Sequence, residues 1–171
     1  MNAFLFRKTT LCLLLGAGLS MPVTACSGSK NAPGSNTSIR TNTVDLDNME
    51  EDILFYVNKF RKSHGLAPLQ LNETICIEAR QHSRDMATGR SKFGHSGFDN
   101  RADHLKEKFG KIQGVAENVA YGYLSAKAVV DGWIKSPGHR KNLLGNYNLI
   151  GIGVAKGDKN TLFYTQVFIR K

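Results

Sequence analysis

The sequence predicts an α+β fold, a small antiparallel sheet with helices above and below it. Two observations predict it. Residues 149–155 and 162–169 read as the strands of a hairpin that is apolar on both faces. Ile150, Ile152 and Val154 point one way in the first strand; in its partner Phe163, Val167 and Ile169 oppose Tyr164 and Phe168. A hairpin buried on both faces needs a covering layer on each side. The second observation is that upstream stretches repeat their apolar residues at helical spacing and can supply those layers. The chain has 171 residues, 41% of them apolar and 22% charged, which suits one folded domain with appendages and excludes a disordered polymer.

The chain opens on an export signal. Arg7 and Lys8 form a short positive region, and residues 11–19 are an apolar run too short to be a permanent membrane span. Val23-Thr24-Ala25-Cys26, followed at once by polar Ser27-Gly28-Ser29, resembles a bacterial lipobox. That resemblance implies a lipoprotein signal peptide over residues 1–25 and lipidation of Cys26 by acyl chains such as palmitate. A plain secretory signal with a chance cysteine is the other reading. Acyl chains contribute about 0.8 kcal/mol per buried CH₂, so they hold a domain at a membrane without spanning it. Ser27, rather than Asp, after the cysteine points to the outer membrane or cell surface if the cell has an outer membrane. Either way the protein is extracytoplasmic.

Residues 26–43 are a tether. Gly, Ser, Asn and Thr fill 12 of the 17 positions after Cys26, and random-coil scaling gives such a segment a reach of about 20–25 Å. The folded domain is residues 44–171. Loss of residues 1–25 removes two cations and lowers the net charge from +9 to +7. Cys12 leaves with the signal, so Cys76 is the one thiol of the folded part and no internal disulfide is available.

Within the domain, Met49, Ile53, Val57 and Phe60 recur at helical spacing, and Gly65 suits a left-handed cap after them. His64 falls in that last turn, where it favours the helix dipole. Asn72 caps a second helix with Ile75, Cys76, Ala79, His82 and Met86 on one face. Cys76 there reads as a small buried hydrophobe and His82 as a hydrogen-bonded packing residue. Residues 93–100 read as a loop, 101–109 as a short helix and 114–123 as a strand. Ser125 caps a helix faced by Val129, Val130, Trp133 and Ile134. Ser136 and Pro137 end it and start another, with Ser136 at the cap and Pro137 at the first position.

Three polar residues sit in settings that ask for a partner. His95 lies in Phe93-Gly94-His95-Ser96, Glu117 between valines in Val115-Ala116-Glu117-Asn118-Val119, and His139 in Ser136-Pro137-Gly138-His139-Arg140. A carboxylate inside an apolar strand must face water or find a donor, and imidazoles are natural donors. The sequence separations are long and carry almost no metal signal by themselves. There is no helical two-histidine zinc pair, cysteine pair, phosphate loop or nucleophile elbow. The residues alone therefore give a polar cluster of unassigned purpose.

These motifs, with Trp133 and Tyr164-Thr165-Gln166-Val167-Phe168, resemble the CAP superfamily: SCP-domain proteins, including cysteine-rich secretory proteins, antigen 5 and pathogenesis-related proteins. The similarity is greatest to its bacterial extracytoplasmic branch and runs over about residues 49–168. It implies a CAP-type α-β-α sandwich over residues 44–171, with an open cavity. In many eukaryotic members that cavity holds two His and two Glu, and some bind a divalent cation, often zinc. His95 and Glu117 match the first His and first Glu. Ser136 stands where the second Glu would be and Phe163 where the second His would be, so half of the tetrad is missing. His139 is the residue that the bacterial branch brings toward the same cavity.

The resulting expectation is a cleft that gathers His95, Glu117 and His139, with Ser136, Tyr164 and Gln166 nearby. His95, Glu117 and His139 plus water would suit zinc; the same residues also serve as a hydrogen-bonded network that fixes loops. Three functions fit: a surface binding or interaction module, a hydrolase such as a metal-dependent peptidase using Glu117 with His95 and His139, or a lipid or sterol binder. The positive charge favours an anionic surface, lipid or host-protein ligand. Scattered cations without aromatic interleaving argue against nucleic acid, and nothing in the chain asks for more than a monomer.

Overall fold

The structure, a computed structural model, describes residues 45–171. The expected signal peptide over 1–25, the expected lipidation at Cys26 and the expected tether over 26–43 lie outside the described residues. The described chain runs α1 (Leu46–Lys62), β1 (Gln70–Leu71), α2 (Glu73–Ala87), α3 (Phe98–Phe109), β2 (Gly114–Gly122), α4 (Ala126–Lys135), α5 (Pro137–Leu143), β3 (Leu149–Lys156) and β4 (Leu162–Arg170). The strands form one sheet in the order β1-β3-β4-β2, antiparallel except for the β1–β3 pair.

The two apolar faces of the hairpin carry two clusters. Ile150, Ile152, Val154, Tyr164 and Phe168 pack with Ile53 and Val57 of α1, Val129, Val130 and Trp133 of α4, and Leu143 of α5. On the other face Val167 and Ile169 pack with Ile75 and Ala79 of α2 and Leu105 of α3. This is the α-β-α sandwich. The layers are close because β3 alternates glycine on the α2 side. A Cβ on Gly151 would sit 2.3 Å from the Ile75 carbonyl carbon, and one on Gly153 would sit 2.2 Å from the Arg80 nitrogen. Backbone meets backbone there, and only glycine allows it.

Several local rules hold. Asn72 caps α2 by accepting from the Ile75 N–H, and Ser125 caps α4 by accepting from the Ala128 N–H. Gly65 takes φ +71° after α1. His64 falls two residues past the end of α1 rather than in its last turn, and its Nδ1–H donates back to the Phe60 carbonyl at 2.9 Å. Cys76 is buried, its thiol is pushed up by burial, and its Sγ accepts from the Ile152 N–H.

Three further details differ from the sequence reading. The helix expected from residue 101 starts at Phe98, because its first turn is set by the main-chain bond from Phe98 to His95, and Asp99 favours that end. Ser136 holds the cap position of α5, but its side chain makes no capping bond. The two-residue β1 was not foreseen; a strand that short has no period to read.

Two buried charges hold the α1 side together. Glu50 accepts a side-on fork from Arg80 and the Val154 N–H at 3.1 Å, closing the outer edge of β3 beyond β1. Arg61 donates to the carbonyls of Ala67, Leu143 and Gly145, so one guanidinium fixes both the turn after α1 and the turn after α5.

Candidate functional site

The site is built on β2, an edge strand whose alternate residues serve opposite layers. Val115 packs in the α2–α3 cluster, and two residues on Glu117 turns to the same side. Its side chain is 1% exposed. A carboxylate so placed must be neutralised or hydrogen-bonded, and Arg101 of α3 does both. Arg101 Nε donates to Oε2 at 2.9 Å and Nη2 donates to Oε1 at 2.9 Å, a two-pronged fork. The remaining terminal nitrogen, Nη1, donates to the Ser96 carbonyl at 2.9 Å and ties the fork to the loop that carries His95.

His95 completes the cluster. Its Nδ1–H donates to Glu117 Oε1 at 2.9 Å, while the imidazole remains 52% exposed. That bond fixes the tautomer and turns Nε2 outward. His82 of α2 stands behind, with Nε2 4.0 Å from Oε1. It is buried, its Nε2–H donates to the Gly94 carbonyl at 2.8 Å, and burial holds its pKa below the ordinary 6.5, so it stays neutral. His139 on α5 is half-buried; burial and the nearby His95 both lower its pKa.

The other face of β2 carries a different network. Asn142 of α5 donates to Asn118 Oδ1 at 2.9 Å and to the Glu117 carbonyl at 3.1 Å. Asn118 Nδ2 in turn lies 3.3 Å from both the His139 carbonyl and Gln166 Oε1. This network clamps α5, and with it His139, to the strand that holds Glu117.

Of the six residues expected in one cleft, the structure joins His95 to Glu117 and brings His139 close to His95. Ser136 lies at the start of the same short helix as His139. Tyr164 and Gln166 lie elsewhere. Both are fully buried, and Gln166 pairs across the sheet with Asn118, on the face opposite the Glu117 side chain. Tyr164 is in the α1–α4 core, its hydroxyl donates to the Leu124 carbonyl, and burial pushes its pKa up to about 12. Strand alternation separates them: Val167, not Gln166, is the register partner of Glu117.

Arg101 is the residue that sequence reasoning missed. The need is legible, since Glu117 between valines requires a donor, but an imidazole and a guanidinium meet it equally well and the need alone does not point to Arg101. Reading α3 as starting at residue 101 also set Arg101 at a helix end rather than one turn inside.

The zinc expectation meets an obstacle in the donor set. Both Glu117 oxygens accept from Arg101, so the carboxylate is already committed, although the His95 bond uses only Nδ1 and leaves Nε2 open. Among the described residues no group of three His, Cys, Asp or Glu side chains is set to hold a metal ion. His95, Glu117 and His139 therefore do not fit a three-ligand zinc centre.

Two residues before His95 in the chain, Phe93 joins an aromatic cluster. Phe93 meets Tyr121 edge-on at 4.7 Å between ring centres, and Tyr121 stacks on Phe163 at 5.9 Å. Phe93, Tyr121 and nearby Tyr123 are exposed. Two grooves lie away from this cluster: about 770 Å³ along α1, lined by Leu54, Phe55, Leu66 and Pro68, and about 410 Å³ beside Glu50 and Arg80. Neither is lined by His95 or Glu117.

Residues 54–168 match the model of the cysteine-rich secretory protein family, CAP. The chain belongs to that family. It is 37% identical over 125 residues to the uncharacterized membrane protein YlbC of Bacillus subtilis, covering 71% of this chain and 34% of that protein. It is 33% identical over 144 residues to the uncharacterized protein YkwD of the same organism, covering 82% and 51%. The chain thus spans between a third and about half of the curated relatives it matches. Among solved structures, an extracellular SCP-domain protein of Bacillus anthracis superposes with a TM-score of 0.64 at 32% identity, covering 74% of this chain and 41% of that one. In this CAP chain the polar cleft is the His82, His95, Arg101 and Glu117 cluster.

Proposed function

We propose that this CAP chain is an extracytoplasmic lipoprotein of the bacterial branch, anchored through Cys26, whose domain is a binding module presenting the His95 edge. The observation that carries the reading is the division of labour at Glu117. The carboxylate is sealed and saturated, so it orients His95 and is not placed to take a proton from water. What a partner can reach is the half-exposed His95 imidazole, and Phe93, two residues before it, is exposed and meets Tyr121. Among the described residues no hydroxyl or thiol hydrogen-bonds His95, so the dyad lacks the nucleophile a covalent hydrolase needs.

The location rests on the lipobox-like Cys26 and its polar tether. It is supported by two relatives, one described as a membrane protein and the other as extracellular. Among the described residues no helix is long and apolar enough to cross a membrane. The mature charge of +7 favours an anionic envelope polymer, lipid headgroup or host protein as partner. Lipid or sterol binding is the second reading, favoured by the apolar α1 groove with Lys59 and Lys62 on its rim.

The test incubates the purified protein with a peptide library and, separately, with isolated envelope fragments and fluorescent lipid. The binding reading expects intact peptides and envelope binding that His95→Ala weakens. Peptide cleavage lost in His95→Ala would overturn it in favour of a hydrolase. Lipid uptake lost in Phe55→Ser but kept in His95→Ala would overturn it in favour of the α1 groove.

A further inference from the structure

We infer that Arg101 is the built-in cation of this site: its guanidinium takes the place that a divalent metal would need, and the cluster works without one. The inference does not depend on what the His95 edge binds.

The cluster gathers ligand-type side chains, but around a cation that is itself a side chain, and not in an arrangement set to hold a metal ion. A carboxylate and two imidazoles converge, with His95 Nδ1 at 2.9 Å and His82 Nε2 at 4.0 Å from the same oxygen, Glu117 Oε1. They come from three separate elements: the loop before α3, α2 and β2. Into this gathering α3 delivers a guanidinium that engages both carboxylate oxygens. The positive charge of Arg101 also acts on His82, where it opposes protonation. One fixed positive and one fixed negative charge thus balance in a buried place. Arginine keeps its proton at any physiological pH. A dication entering there would face the guanidinium directly and would have to expel it from a bond with 1% exposed Glu117.

The fork also positions. Nη1 holds the Ser96 carbonyl, one residue beyond His95, so the same cation that neutralises Glu117 fixes the loop that presents the imidazole. A zinc ion would do both tasks in a metal-dependent site. Here a side chain does them, which frees the protein from metal supply.

The experiment titrates the purified full-length protein with Co²⁺, read by its visible absorption, and with Zn²⁺, read by calorimetry. The wild type is expected to show no stoichiometric binding in the micromolar range. Arg101→Ala exposes Glu117, His95 and His82 together and is expected to bind at least about tenfold tighter, with the gain abolished by adding Glu117→Gln. A merely structural arginine would not produce a carboxylate-dependent gain of metal affinity. Equimolar micromolar zinc binding by the wild type, lost in His95→Ala, would overturn the inference. So would Arg101 variants that fold and bind no better than wild type. Arg101→Gln serves if the alanine variant does not fold, and the wild-type titration decides by itself if neither does.

Discussion

At the scale of single residues, the site is a study in which polar groups are sealed and which are left open. Glu117 has no remaining task toward solvent, because Arg101 and His95 use both of its oxygens. His82 is held toward the neutral form by burial, against the opposing pull of its bond to the Gly94 carbonyl. That has a pH consequence. Its folded pKa lies below the ordinary 6.5, so the unfolded chain takes up its proton first on acidification. The stabilisation is complete above 6.5 and is lost as pH falls through the lower folded value. His139 acts in the same direction. Stability measured by urea unfolding should therefore rise with pH below 6.5, and His82→Gln should flatten that slope. An unchanged slope in His82→Gln would show that its imidazole is not held neutral. The sequence exposed the need at Glu117 plainly, as a carboxylate between valines. It did not expose Arg101, because the partner lies 16 residues away on another element and only the fold brings it near.

At the scale of elements, alternation along the strands decides what meets what. Apolar residues on both faces made the β3–β4 hairpin and its two covering layers readable in advance. The same alternation placed Gln166 and Tyr164 away from Glu117, a consequence that needs the register between β2 and β4. The glycines of β3 were read only as part of a strand, yet they set how closely α2 approaches. Gly153→Ala drives a Cβ to 2.2 Å from the Arg80 nitrogen, against helix backbone that cannot swing aside. It should cost about 3 kcal/mol in urea unfolding, the upper range for overpacking. A cost below about 0.5 kcal/mol, the scale of an ordinary surface change, would mean that α2 is not seated there. Because Ala79 and His82 ride on α2, this same contact sets the back wall of the site.

At the scale of the molecule, one edge strand joins two layers with different duties. Toward α2 and α3, β2 carries the Glu117 cluster; toward α4 and α5 it carries Asn118, which with Asn142 docks the helix bearing His139. The His95 edge is thus held from both sides of the sheet, which suits a rigid presenting surface. The family was legible from short motifs in order, and the α-β-α fold from its hydrophobic pattern. The ligand class was not, since it depends on which polar groups the fold leaves unspent. The central claim is that Glu117 is committed to Arg101 inside the molecule, leaving His95 as the group that faces outward. A double-mutant cycle tests it most directly, with Arg101→Met, Glu117→Gln and the pair unfolded in urea. Each single change should cost about 3–5 kcal/mol by stranding its buried partner, and the double should cost at least about 2 kcal/mol less than the sum. Single costs that add to within about 0.5 kcal/mol would contradict the account.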